Sequence, residues 1–308
     1  LQLFTTLGTL LERIPIDLAV ALAEIGGAVA SAKDSPKRRA VETNLRRIVE
    51  LDADEPVDPQ VLKRLVRRSF SSYGRYWAEG AVLPGMDRDE IRKRITIVEG
   101  VEYLHEAMAE RNGCIVALPH IGSWEWGGAL VGLLGYPMTA VAERLEPPEL
   151  FEWFVTKREQ MGLLVEGLDE QAGRKLLSVL KQGGLVGLLC DRDLEGDGIE
   201  VDFLGGRTTM PAGPATLALR TGATIFTGTA YSGPGAHHCV VMSKPLKAER
   251  TGARLREDVA RVTQEIADEL AGLIRRAPEQ WHVFSDPFAE FAQRIENERP
   301  LVAAEVTE

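Results

Sequence analysis

The spacing of apolar and polar positions changes along this chain at about residue 95. Before it, apolar residues recur every three or four positions, so residues 1–94 read almost wholly as helix. Breaks fall at Ser35-Pro36, Glu55-Pro56 and Leu83-Pro84. Beyond it, short apolar runs alternate with helical stretches. Strands are predicted at 95–98, 114–119, 138–142, 163–165, 185–190 and 223–231. Helices are predicted at 101–111, 123–134, 148–161, 169–182, 213–221 and 255–276. Strands apolar on both faces, alternating with helices, predict an α/β fold with a mainly parallel central sheet flanked by helices. The expected organisation is an N-terminal helical, membrane-proximal region (1–94) followed by an α/β core (95–308), forming one structural domain. No internal repeat, low-complexity tract or structureless linker interrupts it.

Residues 1–32 are the most apolar stretch and predict two short amphipathic helices hinged at Pro15. Leu3, Leu7, Leu10, Leu11 and Ile14 form one apolar stripe at helical spacing. Glu12, Arg13, Asp17 and Glu24 interrupt the stretch well short of the ~20 apolar residues a membrane span needs. The stripe can pack on the domain or lie in a membrane interface; the pattern alone favours packing.

Charge refines this picture. The net charge of the 308 residues is -10. It is uneven: residues 1–100 hold 16 Lys/Arg against 15 Asp/Glu, and the remainder 20 against 31. The segments from Lys33 to Arg47 and from Lys63 to Arg94 are locally basic. Such a chain is a poor nucleic-acid binder, although its basic flank can lie on anionic lipid. Cys114, Cys190 and Cys239 have neither metal nor disulfide spacing, and two lie in apolar runs, which predicts reduced, buried thiols. Leu1 is followed by no basic region and no small-residue cleavage site, so no signal peptide is expected. The absence of an initiator Met suggests a trimmed chain.

Candidate chemistry concentrates where strands end. Three apolar runs pass directly into an ionisable residue: one into His120, one into Glu143 and one into Asp191. In a parallel sheet the carboxyl ends of the strands share one edge, where ligands bind. The three residues are therefore expected to converge. His120 is followed after four residues by Glu125, in the first turn of a helix that Ser123 is expected to cap. An imidazole near neutrality suits deprotonation of a hydroxyl, which is worth about 10²–10⁴-fold in rate. The ring needs an acceptor on its other nitrogen, and Asp191 and Glu125 are the two candidates. A carboxylate in the first turn is also stabilised by the helix dipole whether or not it is catalytic. Asp191, reaching from a neighbouring strand, is slightly preferred.

Anion recognition falls to Arg158, Arg192 and Arg207. Arg192 and Arg207 are expected on loops at this edge, while Arg158 lies in a charged helix where a solvated ion pair is the simpler role. The turn from Thr208 to Pro214 brings glycine and prolines to a helix N-terminus suited to an oxyanion. Other constellations fail. There is no Walker A loop, no G-x-G-x-x-G after a strand and no G-x-S-x-G elbow. His237 and His238, adjacent on a strand, point to opposite faces and do not share a metal. His282 with Ser285 and Asp286 is too crowded for a triad, so His282, like His105, is expected to be structural.

These residues resemble a known family, the bacterial lysophospholipid-type acyltransferases that include the late lipid A enzymes. His120 and Glu125 match its histidine–four residues–acid motif. Arg38-Arg39-Ala40-Val41-Glu42-Thr43-Asn44-Leu45 resembles the N-terminal helix pattern, and Asp191-Arg192-Asp193 falls where lipid A enzymes usually carry Asp-Gln. Val201 to Gly205 and Pro211-Ala212-Gly213 resemble the following strand and turn, and Pro278-Glu279-Gln280-Trp281 the C-terminal signature. Within the family, Ala142 to Leu145, Arg192-Asp193-Leu194, Gly198 to Phe203 and Met210 to Ala215 are most similar to the actinobacterial phosphatidylinositol mannoside acyltransferases. The resemblance implies His120 as base, a charge-relay acid at Asp191, and an acceptor site lined by Glu143 and Arg158. Two departures stand out: Asp191 occupies a position where Glu is expected, and Glu125 one where Asp is expected.

The implied activity is transfer of a long-chain acyl group from acyl-CoA, a co-substrate rather than a cofactor, to a mannose hydroxyl of a glycophospholipid acceptor. No metal and no cofactor are expected. The alternatives are a lipid A-type or other glycolipid acyltransferase using carrier protein or CoA, and a non-catalytic lipid-binding protein. The resemblance raises the interface role of residues 1–32 above packing. It places the protein peripherally on the inner leaflet, at the cytoplasmic face of the plasma membrane.

Overall fold

The computed structural model of the protein describes residues 14–305 except 143–147, 160, 168–170 and 247. The N-terminal part is helical. Helices α1 (Ile16–Ala30), α2 (Pro36–Glu50), α3 (Pro59–Val82) and α4 (Arg88–Lys93) precede the first strand. Their starts follow the sequence closely. Pro15 stands at the N-cap of α1, and Ser35 caps α2 by accepting from the Arg38 amide ahead of Pro36 at N1. Asp58 caps α3 in the same way, accepting from the Gln60 and Val61 amides. Helices α1 and α3 cross with their backbones nearly touching. A Cβ on Gly27 would lie 2.1 Å from the Phe70 carbonyl oxygen, and one on Gly74 2.4 Å from that of Ala23. Of the N-terminal stripe only Ile14 lies among the described residues, and it packs beside α1 on the core.

The core is a seven-stranded sheet in the order β1-β9-β8-β2-β5-β3-β4. Its strands are β1 (Ile95–Glu99), β2 (Cys114–Leu118), β3 (Met138–Ala142), β4 (Leu163–Gly167), β5 (Leu185–Leu189), β8 (Thr224–Ser232) and β9 (His238–Met242). All neighbours run parallel except β8 and β9. Helices α5 (Val101–Glu110) and α6 (Trp124–Leu133) interleave with these strands, as do α7 (Pro148–Glu159), α8 (Ala172–Lys181), α9 (Gly213–Thr221) and α10 (Leu255–Arg276). The sheet is thus mainly parallel and flanked by helices, as the alternating pattern predicts.

Strand β2 shows why its run is apolar throughout. Ile115 and Ala117 enter a core shared with α8, α9 and α10, while Cys114, Val116 and Leu118 enter the core on the opposite face, with Trp126 and Phe226. Alternate side chains point to opposite faces, and both faces are covered.

Two features depart from the sequence reading. An antiparallel ribbon, β6 (Ile199–Phe203) with β7 (Gly206–Met210), stands apart from the main sheet and packs on α10. A further helix, α11 (Pro287–Glu305), follows the C-terminal signature and lies against β7. The N-terminal helices join the sheet through buried polar contacts. Arg75 on α3 donates to the carbonyls of Gly233 and His237 and pairs with Glu79 at 2.6 Å. Glu79 in turn bonds His238 on β9 at 3.0 Å, and the His238 ring stacks on Trp126. This explains His238 as a structural histidine: burial holds its pKa below the usual value, against the Glu79 carboxylate. Among the described residues no cluster of His, Cys, Asp and Glu is arranged to hold a metal.

Candidate active site

His120 and Asp191 meet because two parallel strands are in register. Leu118 of β2 lies opposite Leu189 of β5, so residues two positions further on, His120 and Asp191, leave the sheet side by side. The Asp191 carboxylate accepts twice from His120: Nδ1 lies 2.5 Å from Oδ1, and the backbone amide 2.9 Å from Oδ2. A third donor is the Trp281 indole, 2.7 Å from Oδ2. Asp191 is fully buried. Burial alone would raise its pKa, but the His120 imidazole and the bonds from His120 and Trp281 outweigh it, so the carboxyl titrates below its usual range. With Nδ1–H donated to Asp191, Nε2 is the nitrogen left to accept a proton.

The turn after His120 is pinned from two sides. Gly122 has φ +63°, and a Cβ there would lie 2.2 Å from the Ala230 carbonyl oxygen, so only glycine fits. Its amide donates to the Gln280 carbonyl, the Ser123 amide to the Ala230 carbonyl, and the Thr229 hydroxyl to the Ile121 carbonyl. The His282 amide donates to the His120 carbonyl at 2.7 Å. The His282 ring, beside Tyr73 and Tyr76, shares a 2.9 Å hydrogen bond with the Ser72 hydroxyl. Burial and the neighbouring His120 push its pKa down to about 3, so it stays neutral.

Helix α6 opens at Trp124. Ser123 holds the N-cap position, but its hydroxyl makes no cap bond and is buried without a partner. The expected Ser123 cap is therefore a cap by position alone. Glu125, in the first turn, is buried and turned toward other partners than His120. Its Oε1 accepts from the Tyr76 hydroxyl and from Arg158, each at 3.1 Å, while Oε2 is buried without a hydrogen-bond partner. Desolvation raises the Glu125 pKa and Arg158 opposes it. The same environment, first burial and then the Glu125 charge, raises that of Tyr76. The Trp124 indole donates to the Tyr76 hydroxyl at 3.2 Å, and the Arg158 guanidinium lies 4.7 Å over the Trp124 ring. Arg158 thus meets a buried carboxylate and an aromatic face.

These groups open into a cleft of about 750 Å³. His120, Trp124, Tyr76 and Arg158 form one part of its wall. Val141, Leu176, Leu177, Leu188 and Leu217 supply apolar surface, and Arg174, Arg192 and Arg220 add cations. Pro211, Gly213 and Pro214, from the turn that opens α9, also line it. Arg192 is thus in the cleft, as expected. Arg207 is not: it lies on β7, well exposed, paired with Glu200 at 2.5 Å. The expectation of an edge loop fails for Arg207 because Leu204-Gly205 makes the hairpin turn of a ribbon outside the main sheet, and Arg207 follows it on the strand. Glu143 follows β3 next to β5 but lies outside the described residues. Tyr76 and Trp281 are site residues that the sequence reading missed, the latter although it lies in a quoted signature.

Proteins similar to this chain are acyltransferases. The family model described as bacterial lipid A biosynthesis acyltransferase matches residues 2–289. A phosphatidylinositol mannoside acyltransferase of Mycolicibacterium smegmatis is 33% identical over 279 residues, covering 89% of this chain and 86% of that protein. One of Mycobacterium tuberculosis is 35% identical over 245 residues, covering 78% and 73%.

Proposed function

The chain belongs to the bacterial lipid A biosynthesis acyltransferase family and is an acyltransferase, and from that premise we propose that it moves a long-chain acyl group from acyl-CoA to a mannose hydroxyl of phosphatidylinositol mannoside. The observation that carries the reading is the His120–Asp191 pair, its acid buried and its imidazole at the wall of a cleft lined by apolar side chains and arginines. His120 Nε2 takes the proton of the acceptor hydroxyl as its oxygen attacks the thioester carbonyl. Asp191 holds the ring in the tautomer with Nδ1 protonated and stabilises the imidazolium that forms. The tetrahedral intermediate collapses with cleavage of the carbon–sulfur bond. Nε2–H then returns its proton to the departing thiolate, and ester and CoA thiol leave a neutral His120. Arg158, bonded to Glu125, forms the wall beside the base and meets the acceptor, and Arg192 turns toward phosphate. Thioester chemistry of this kind requires no metal or cofactor.

The acceptor is a membrane lipid, and the exposed face of α1 suits that. Leu18, Leu22, Ile25 and Val29 are all well exposed along one stripe. Lys63, Arg64, Arg67 and Arg68 on α3 are exposed as well, offering positive charge to anionic headgroups. Among the described residues no helix is long and apolar enough to cross a membrane. The reading therefore places the enzyme peripherally on the inner leaflet, at the cytoplasmic face of the plasma membrane.

The test is product identity. Palmitoyl-CoA is incubated with the protein and either a mannosylated phosphatidylinositol or a lipid A precursor, and acylated lipid is identified by mass spectrometry. Product on the mannolipid supports the proposal. Product only on the lipid A precursor, or only with acyl carrier protein as donor, would replace its acceptor or its donor.

A further inference from the structure

The loop that follows the relay acid is held by a helix absent from the sequence-based reading. Residues 192–198 connect β5 to the ribbon and wall the cleft with Arg192. The Asp193 carboxylate, almost wholly buried, accepts from the Gly196 amide at 2.8 Å and the Gly198 amide at 3.1 Å, folding the loop on itself. Arg294 of α11 closes the arrangement. One guanidinium nitrogen reaches the Gly196 carbonyl at 2.6 Å, Asp193 Oδ2 at 3.2 Å and the Thr209 hydroxyl at 3.3 Å. The helix is itself anchored: Phe288 is buried with Arg47 stacked over its ring, and the Thr208 hydroxyl bonds the Pro287 carbonyl. The segment leading into it is gripped by Asn44, which donates to the Val283 and Ser285 carbonyls. The stretch from Trp281 to Arg294 thus touches Asp191 at one end and Asp193 at the other, and Arg192 lies between.

We propose that Asp193 and Arg294 are positioning residues that fix the backbone on the far side of Arg192, so that the Arg192 guanidinium is presented to an anionic group of the substrate in the cleft. Asp191 already fixes the near side through His120 and Trp281. The latch therefore bears on binding rather than on the dyad. Losing a hydrogen bond to a charged group shifts an equilibrium by about tenfold to a hundredfold. Losing the guanidinium should accordingly release the loop without unfolding a molecule whose core lies elsewhere. The kinetic arm rests on the acyl-CoA reading above; the exchange arm does not.

Two measurements test this on the full chain. Hydrogen exchange of wild type, Arg294→Ala and Arg294→Lys reads the 193–198 amides directly. Exchange there should rise about tenfold or more in Arg294→Ala, stay unchanged at Cys190 and Asp191, and recover in part in Arg294→Lys. Steady-state kinetics should show KM for palmitoyl-CoA raised about tenfold with kcat within about threefold. Arg192→Ala should mimic this, and the double variant should cost little more than either single one. Unchanged exchange in 193–198, exchange raised uniformly along the chain, a fall in kcat alone, or fully additive KM effects would each overturn the latch. If wild type transfers no acyl group from CoA, the donor reading falls while the exchange arm still decides whether Arg294 holds the loop.

Discussion

Asp191 and Glu125 are both buried acids that the sequence offers to His120, and their hydrogen bonds separate them. Asp191 spends both oxygens on His120 and Trp281, whereas Glu125 bonds Tyr76 and Arg158. Asp191→Asn should therefore lower kcat by about 10²–10⁴-fold, by disturbing the tautomer and removing the charge that stabilises the imidazolium. Glu125→Gln should cost less in kcat and act more on acceptor KM, through Arg158. Initial rates of CoA release from the two variants check this ranking; an equal or larger kcat loss in Glu125→Gln contradicts it. Only part of this contrast was legible in sequence. The strand-end acids stood out from the apolar runs before them, but which carboxylate reaches Nδ1 depends on β2–β5 register. Tyr76 and Trp281 escaped notice because each acts on a partner far along the chain.

His282 makes a second prediction at the same scale. Its folded pKa of about 3 lies below the unfolded value of about 6.5. Between these values the unfolded chain binds one more proton than the native state. Stability is thus fully present above about pH 6.5 and is lost as pH falls toward 3, by at most about 1.4 kcal/mol per pH unit. Denaturant unfolding at pH 7, 6, 5 and 4 should show a shallower decline for His282→Gln than for wild type. Parallel curves would contradict the assignment.

At the scale of elements, the turn joining β2 to α6 is the critical piece. Gly122 combines a left-handed backbone with contact against the β8 carbonyl of Ala230, so Gly122→Ala must move either the strand or the turn. The expected loss is about 2–4 kcal/mol, with His120 displaced as well. A lowered midpoint in thermal or denaturant unfolding together with reduced kcat checks it; wild-type stability would argue that the turn is looser than described. The parallel strands and their helices were legible because their apolar periods are local properties. The β6–β7 ribbon was half legible and α11 not at all. The run Gly206 to Met210 is short and holds three consecutive polar residues without alternation, and α11 takes its stability from Phe288 and Arg294 meeting distant segments.

At the scale of the molecule, helix α1 turns an apolar stripe outward while α3, packed on it, carries Tyr76 into the cleft and bears the exposed basic cluster. One pair of helices thereby connects the exposed apolar stripe and the cleft. Negative charge introduced by Leu22→Glu combined with Ile25→Glu should reduce sedimentation with anionic phospholipid vesicles by about tenfold while leaving the unfolding midpoint near that of wild type. Undiminished vesicle binding would move the docking face elsewhere. The fold class and the convergence of His120 with Asp191 could be reasoned from strand ends alone. The way N- and C-terminal segments wrap that pair could not, since it is written in contacts between residues more than two hundred positions apart.

The account stands on His120 as the proton acceptor for acyl transfer. Its most direct measurement is the rate of labelled palmitoyl transfer from palmitoyl-CoA to mannosylated phosphatidylinositol by wild type and His120→Ala, with both proteins shown to unfold at the same midpoint. The predicted result is acceptor-dependent product from wild type and a loss of at least about 10³-fold in His120→Ala. Product formed at comparable rates by the variant would contradict it.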